Sequence, residues 1–269
     1  MAVSPVVAGV DGSDESLRAI EWAAREADRR KSPLRIVSAP AMPPRMRARD
    51  GSAPTVATQL RELTTRAVDA ALTRSKEVVP GLVTETGLLS GPPALALTDA
   101  GEHAQMVVVG ARGIGGFTAL LLGSVSRYVA MHATCPVIVV RDQADALQRE
   151  IVVGVRDPGE STQALTFAFE EAALRTAELV ALHSGRLGAD AGRDLSETLS
   201  GWGDKYPAVA VRPDVVQGHP AQVLAEYSAR ADLVVLGRHG GSDATPAIGS
   251  IQHAVLNHAR GPIAIVPDR

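Results

Sequence analysis

The sequence of 269 residues contains a single cysteine, Cys135. One cysteine cannot form a disulfide within the chain, and no Cys-x-x-Cys or Cys/His cluster offers ligands for a metal. The place of Cys135 before Pro136, at the start of an apolar segment, predicts a packing residue rather than a reactive thiol. This cysteine usage is typical of a protein of the reducing cytoplasm.

Long hydrophobic runs and an excess of basic residues are also missing. No apolar run approaches the roughly 20 residues that span a bilayer, and the N-terminus lacks the charged and apolar regions of a secretory signal. The net charge of -3 and the pI of about 6.2 argue against nucleic acid as the partner. We therefore expect a cytoplasmic protein that binds neither membrane nor nucleic acid.

The chain contains an internal repeat. VVAGVDGSDES, from Val6, aligns with IVVGVRDPGES, from Ile151, at an offset of 145 residues. The offset is 127 where VVVGARG aligns with VVLGRHG, and 126 where LLLGSVSRYV aligns with PAIGSIQHAV. This repeat predicts a first domain over residues 1–141, a linker over 142–150 and a second domain over 151–269.

Each copy alternates short apolar segments with longer amphipathic ones. In the first copy, the strand candidates are VVAGV, LRIVS, TGLLS, MVVVG and PVIVV. Helical spacing links two sets of residues, with Ser13 and Asp14 as a helix start: Leu17, Ile20, Ala24 and Ala27, then Val56, Leu60, Leu63, Ala67 and Ala70. The pattern predicts an α/β fold, with two tandem copies of an open, Rossmann-like parallel sheet covered by helices on both faces.

Two further segments have predicted roles. Residues 39–55 are rich in Pro, Arg and Ala, which predicts a mobile loop over the strand ends. The short last strand of each copy follows Cys135-Pro136 or Gly261-Pro262 and is expected at a sheet edge, where strands pair with a partner. We expect the two copies, or two chains, to join through these last strands.

A glycine-rich segment, GARGIGGFTALLLGSVS (110–126), follows the fourth strand candidate. Its spacing, G-x2-G-x9-G-S, is neither a Walker A loop nor the Rossmann G-x-G-x-x-G. Ligands of open parallel sheets bind outside the carboxyl ends of the strands, where Asp11 also lies. The segment closes on a helix start, whose N–H groups suit a phosphate. The alternative is that the glycines only shape a turn and that Asp11 and Asp14 only cap a helix.

Together, VDGSDES, the G-x2-G-x9-G-S segment and the repeated unit resemble the universal stress protein family in its tandem two-domain form. The resemblance implies five-stranded sheets of the adenine nucleotide alpha hydrolase-like type, with ATP, with or without Mg²⁺, in the crevice. It places Asp11 at the ribose or adenine side, Gly9 and Ala39 along the adenine slot, and Val109 beside the base. It places the following residues around the ribose and phosphates: Gly110, Gly113, Gly123, Ser124, Val125 and Ser126.

The second copy departs from this pattern. Arg156 stands in the place of Asp11, and Gln252 in the place of Ser126. One residue is missing from the second glycine segment, which comprises Gly237, Gly240, Gly249 and Ser250. Losing a charged hydrogen bond costs about 1.5–3 kcal/mol, which is tenfold or more in affinity. We expect a weak or empty second site, with two alternatives: Asp157 replaces the missing acceptor, or Arg156 and His239 favour phosphate.

Three functions fit these features. The first is a nucleotide-dependent regulatory protein of the stress response, acting on an unidentified protein partner. The second is a slow ATPase or self-phosphorylating enzyme, in which Asp11 and Ser124 help to hold Mg²⁺. The third is a nucleotide-free dimerising protein. No second acidic residue is clearly placed to hold Mg²⁺ and no G-x-S-x-G motif occurs, so no catalytic residue is assigned and the first function is favoured.

Overall fold

The computed structural model describes residues 3–40, 53–114, 122–141, 149–156, 162–185, 191–238 and 249–268, and for residues 53–57 only the backbone. The chain divides into two compact units, Met1–Val140 and Arg141–Arg269, called unit 1 and unit 2 below. In the described residues, no helix is both long and apolar enough to cross a membrane.

Unit 1 contains a five-stranded parallel sheet in the order β3-β2-β1-β4-β5. Its strands are β1 (Val6–Gly9), β2 (Leu34–Ser38), β3 (Thr84–Leu88), β4 (Met106–Gly110) and β5 (Val137–Val140). Its helices are α1 (Asp14–Arg29), α2 (Ala53–Val78), α3 (Pro93–Gly101) and α4 (Ser124–His132). The chain crosses from β2 and β3 on one side of β1 to β4 and β5 on the other, so the crevice of the sheet lies between β1 and β4.

Unit 2 repeats this arrangement, with a parallel sheet in the order β10-β9-β6-β7-β8. Its strands are β6 (Glu150–Gly154), β7 (Glu178–Gly185), β8 (Val211–Gln217), β9 (Leu233–Gly237) and β10 (Ile263–Val266). Its helices are α5 (Thr162–Arg175), α6 (Ala191–Leu199), α7 (Trp202–Lys205), α8 (Pro220–Tyr227) and α9 (Ser250–His258). The predicted α/β fold with parallel sheets is confirmed.

The central strands β1 and β4 are buried along their whole length because helices cover the sheet. Every residue of β5 is also buried. Helix α1 packs small and apolar side chains on β1 and β4, among them Ala19, Ile20 and Ala23. Its predicted start is confirmed, since Ser13 is the N-cap and its Oγ accepts a hydrogen bond from Ser16 N at 3.2 Å.

Three element boundaries differ from the prediction. Strand β3 covers Thr84–Leu88 instead of residues 86–90, because it is the outermost strand of unit 1 and its half-exposed polar residues show no apolar run. Helix α2 begins at Ala53, inside the predicted 39–55 loop, of which residues 41–52 lie outside the described residues. Strand β6 begins at Glu150, the last residue of the predicted linker.

The buried face of α2 also differs from the prediction. Leu63 is 60% exposed and Ala70 is exposed, whereas the buried residues of this helix are Thr64, Ala67, Val68, Ala71 and Ser75. Helix α2 packs on α1 and on the outer strands β2 and β3. Small side chains bring it close to these neighbours, so the larger Leu63 lies on the solvent side.

A buried ion pair occurs at the same place in both units. Glu26 of α1 accepts hydrogen bonds from Arg30 at 2.6 Å, and Glu171 of α5 from Arg175 at 2.6 Å. Both glutamate side chains are fully buried, while the two arginine side chains are 12% and 6% exposed. The repeat therefore preserves a charged contact that stabilises the end of the first helix of each unit.

Candidate functional site

The predicted site residues of unit 1 all lie at the carboxyl edge of its sheet. Three strand ends contribute Gly9 (β1), Ala39 (directly after β2), and Val109 with Gly110 (β4). Asp11 and Gly113 follow β1 and β4, and α4 contributes its N-cap and first turn: Gly123, Ser124, Val125 and Ser126. They converge because parallel strands end at the same edge.

The Asp11 carboxylate connects two of these segments. Its Oδ1 accepts hydrogen bonds from Ser13 N at 3.0 Å and Ser13 Oγ at 2.6 Å, and its Oδ2 accepts one from Ile114 N at 2.8 Å. A carboxylate offers about four acceptor positions. Three are occupied by the protein, so Asp11 in this conformation can accept one further hydrogen bond.

Two glycines are required by this contact and by the packing of α1. A Cβ on Gly113 would lie 2.1 Å from Asp11 Oδ2, so a side chain here is incompatible with the carboxylate in its place. A Cβ on Gly110 would lie 2.7 Å from the main-chain carbon of Glu15, in the first turn of α1. The glycine spacing therefore has a structural cause at two positions.

The start of α4 offers main-chain donors at the same edge. Gly123 is the N-cap and has no side chain to accept from the first turn, while its own N–H donates to Ala111 O at 2.7 Å. The N–H groups of Ser124, Val125 and Ser126 precede the first intrahelical bond, which Arg127 N donates to Gly123 O at 3.0 Å. Ser124 is exposed. This helix end carries a partial positive charge and suits an anion.

The hydroxyl of Ser126 has a different role from the predicted one. Its side chain is buried, and its Oγ donates to Gly110 O at 2.6 Å, so its proton is not available to a phosphate. In unit 2, the corresponding Gln252 is also buried, and its Nε2 donates to Gly237 O at 2.8 Å. The substitution therefore preserves a bond between the strand end and the following helix.

The two units also share the packing around the first strand end. A Cβ on Gly9 would lie 2.9 Å from Leu97 Cδ2, and a Cβ on Gly154 would lie 2.8 Å from Leu236 Cδ2. In both units, a side chain at this position would require a leucine side chain to move. The predicted base-packing position differs between them, since Val109 of unit 1 corresponds to the larger Leu236 of unit 2.

One contact next to the predicted adenine slot occurs in both units, although a different side chain makes it in each. Ser38 Oγ donates to Val10 O at 2.6 Å, and His183, at the corresponding position of unit 2, places Nδ1 3.0 Å from Val155 O. Arg156 follows Val155 and is exposed. The other predicted alternatives of the second site, Asp157, His239 and Gly240, lie outside the described residues.

Sequence reasoning missed three contributors to the first site. Ser13 and Ile114 hold the Asp11 carboxylate, and Arg112 forms an ion pair with Glu15 at 2.8 Å beside the glycine segment. The serine two residues after Asp11 is a recognisable signal, since Asp often accepts hydrogen bonds from the residue two positions later. The main-chain N–H of Ile114 has no sequence signal. Among the described residues, no group of three or more His, Cys, Asp or Glu is arranged to hold a metal ion.

Comparison with known proteins finds the same family match in both halves of the chain. The model of the universal stress protein family matches residues 3–141 and 148–267. A universal stress protein of Mycobacterium tuberculosis is 32% identical over 290 aligned positions, which cover 97% of this chain and 95% of that relative.

Among solved structures, a universal stress protein from Archaeoglobus fulgidus has a TM-score of 0.77 at 19% identity, and the likeness covers 98% of this chain and 96% of that one. A structure of a universal stress protein from Archaeoglobus fulgidus in complex with dAMP is 26% identical, with a TM-score of 0.37, over 52% of this chain and 100% of that one. On the family match to both halves and the identity over nearly the whole length, this chain belongs to the universal stress protein family.

Proposed function

We propose that this chain binds an adenine nucleotide, ATP, in the crevice between β1 and β4 of unit 1, and that it acts as a nucleotide-dependent regulatory protein of the stress response. The observation that carries the proposal is the convergence at one sheet edge of a fixed carboxylate and a helix start. Asp11 is held by Ser13 and Ile114, and the first turn of α4 lies at the same edge. These groups complement the two polar parts of a nucleotide, its ribose hydroxyls and its phosphates.

Each part of the nucleotide has candidate partners. The base lies against Gly9, Ala39 and Val109, as the family resemblance implies, and one ribose hydroxyl donates to the remaining acceptor position of Asp11. The phosphates accept hydrogen bonds from the main-chain N–H groups of residues 124–126 and from the exposed hydroxyl of Ser124. Gly110 and Gly113 border the ribose and phosphates, as the family resemblance implies.

Unit 2 is proposed to bind nucleotide weakly or not at all. Arg156 cannot accept a hydrogen bond from ribose, and Leu236 adds bulk where Val109 borders the base in unit 1. The loss of one charged hydrogen bond lowers affinity by roughly tenfold or more. One bound nucleotide per chain follows from these differences.

The proposal assigns no catalytic residue and no protein ligand for Mg²⁺. Both oxygens of Asp11 accept hydrogen bonds from N–H or O–H groups of the protein, so Asp11 does not fit the role of Mg²⁺ ligand that the sequence suggested. A regulatory protein partner, and pairing of domains or chains through the last strands, stay predictions from the sequence.

The nucleotide content of the purified protein tests the proposal. Heat-released supernatant is separated by ion-pair chromatography, and wild type is compared with Asp11→Ala and with Asp69→Ala. Asp69 lies on the exposed side of α2, so its replacement makes the same charge change away from the site. We expect about one ATP per chain in wild type and in Asp69→Ala, and at least tenfold less in Asp11→Ala.

Two other results contradict parts of the proposal. No nucleotide in wild type, together with no binding of added MgATP in calorimetry, contradicts nucleotide binding and favours the nucleotide-free dimerising protein. Two nucleotides per chain, one of which persists in Asp11→Ala, show a working second site in unit 2.

A further inference from the structure

Unit 2 has a groove between α8 and α9 that contains none of the positions discussed above. Its volume is about 540 Å³, within the usual range of small-molecule sites. Four alanines and five polar residues line it: Ala221, Ala225, Ala229 and Ala254, with His219, Gln222, Glu226, His258 and Arg260. Along α8 it extends from residue 219 to residue 229, which is roughly 15 Å at the rise of an α-helix.

Unit 1 has an aromatic residue at a position whose counterpart in unit 2 lines this groove. Helices α4 and α9 are both nine residues long and align at an offset of 126, so Tyr128 and His132 correspond to Ala254 and His258. In unit 1, the ring of Tyr128 stacks on that of His132, with 3.9 Å between the ring centroids and 15° between the planes. In unit 2, Ala254 has no ring to place on the imidazole of His258.

We propose that this groove binds a small planar aromatic molecule, such as a phenol, whose ring stacks on His258 in the position that Tyr128 occupies in unit 1. The alanines provide an apolar floor, in which Ala221 is buried, Ala225 and Ala254 are half-buried and Ala229 is exposed. The polar rim supplies partners for a hydroxyl. Glu226 accepts a hydrogen bond from Gln222 at 3.1 Å and has further acceptor capacity.

Contacts between the segments that follow α8 and α9 hold one end of the groove together. Arg260 N donates to Ser228 Oγ at 2.9 Å, which ties the residues after α9 to the end of α8. A Cβ on Gly261 would lie 2.3 Å from Ser228 O, so the two segments are in close contact at this point. A site fixed in this way needs little rearrangement to bind a ring, and it favours rigid planar molecules.

Ligand-observed saturation-transfer NMR with p-cresol, the side-chain analogue of tyrosine, tests the proposal on the full chain. Ala254→Tyr fills the groove with the residue that unit 1 carries there, and Ala70→Tyr adds the same ring on an exposed position of α2. We expect binding at a roughly millimolar Kd for wild type and Ala70→Tyr. We expect loss of the signal in Ala254→Tyr and a several-fold weaker signal in His258→Ala.

Cyclohexanol, with a similar size but no planar ring, distinguishes stacking from general apolar binding and is expected to give at most a weak signal. The proposal is overturned by an absent p-cresol signal in wild type, by an unchanged signal in Ala254→Tyr, or by equal signals for p-cresol and cyclohexanol. Circular dichroism of each variant checks the fold, and Ala254→Tyr is expected to fold because unit 1 accommodates the same side chain.

Discussion

At the scale of single residues, the repeat separates residues required by packing from residues available to a ligand. Ser126 and Gln252 both donate to the carbonyl at the end of a strand, so this position has a structural role in both units. Asp11 differs, because Arg156 at the corresponding position cannot accept the bonds that Ser13 and Ile114 donate to the carboxylate.

A second pair of positions shows compensation across a contact. In unit 1, a Cβ on Gly101 would lie 3.1 Å from Cys135 Sγ, whereas unit 2 has Ser228 in the place of Gly101 and Gly261 in the place of Cys135. The glycine is the first residue of the pair in unit 1 and the second in unit 2, so each unit has one small residue at this close contact. Cys135 is buried, in agreement with its prediction as a packing residue.

The contact between Gly113 and Asp11 gives a prediction at this scale. Gly113→Ala places a methyl group on the Asp11 carboxylate, so the segment must shift, and we expect a loss of about 1–3 kcal/mol in the free energy of unfolding. We also expect at least tenfold weaker ATP binding. Urea denaturation and calorimetry measure the two effects.

Two further variants test whether the clash with the Asp11 carboxylate causes the loss of stability in Gly113→Ala. Gly87→Ala in β3 is the control, because its nearest neighbour would lie 3.8 Å away, and we expect a change within about 0.5 kcal/mol. In an Asp11→Ala background, Gly113→Ala is expected to cost much less stability, since the carboxylate is gone. Equal costs in both backgrounds would contradict the steric explanation.

At the scale of elements, the first helix of each unit ends on a buried ion pair. Glu26–Arg30 and Glu171–Arg175 have the same spacing and the same 2.6 Å distance. An arginine that loses a buried partner keeps its charge, so removal of the glutamate is more costly than removal of an exposed one. In each unit, the stability of the end of the first helix therefore depends on one buried glutamate carboxylate.

Glu171→Ala is therefore expected to lower the free energy of unfolding of unit 2 by about 3–5 kcal/mol. The neighbouring Glu170 is exposed, so Glu170→Ala is expected to change it by no more than about 0.5 kcal/mol. Trp202 stacks on Phe169 of α5 with 5.1 Å between ring centroids, so its fluorescence in a Trp22→Phe background follows this unit during urea unfolding. Similar effects of the two alanine variants would show that the buried pair contributes little.

At the scale of the whole molecule, two copies of one fold differ in the residues at the carboxyl edges of their sheets. The sheets have the same order of strands, yet only unit 1 combines a carboxylate after its first strand with the full glycine spacing. Because the fold is duplicated, unit 2 is free to differ at the carboxyl edge of its sheet while its packing is preserved. The α8–α9 groove contains a second such difference, since Ala254 in its lining stands in the place of Tyr128.

Hydrogen exchange of the full chain tests this asymmetry. We expect ATP to slow exchange of main-chain N–H groups at residues 11–16, 110–114 and 123–127, and to leave residues 237–238 and 249–253 unchanged. At an ATP concentration of 100 times Kd, the stabilisation is about 2.7 kcal/mol. Asp11→Ala is expected to abolish the protection. Protection of the corresponding residues of both units would contradict the asymmetry.

The sequence by itself determined the repeat, the α/β class and most strand and helix positions, because apolar periodicity and helix caps are local signals. It was least accurate at β3 and on α2. Both lie at the outer side of unit 1, where burial depends on which element covers which. The sequence also indicated the edge at which Asp11 and the glycine segment meet, because parallel strands all end on one side.

Only the tertiary structure decided what each polar group of that edge does. The Asp11 carboxylate is held by an amide of Ile114, 103 residues away, and the Ser126 hydroxyl is bonded to Gly110. Main-chain donors of distant segments leave no mark on the sequence, since every residue other than proline carries one. The same holds for the α8–α9 groove, whose lining residues come together only when the two helices pack.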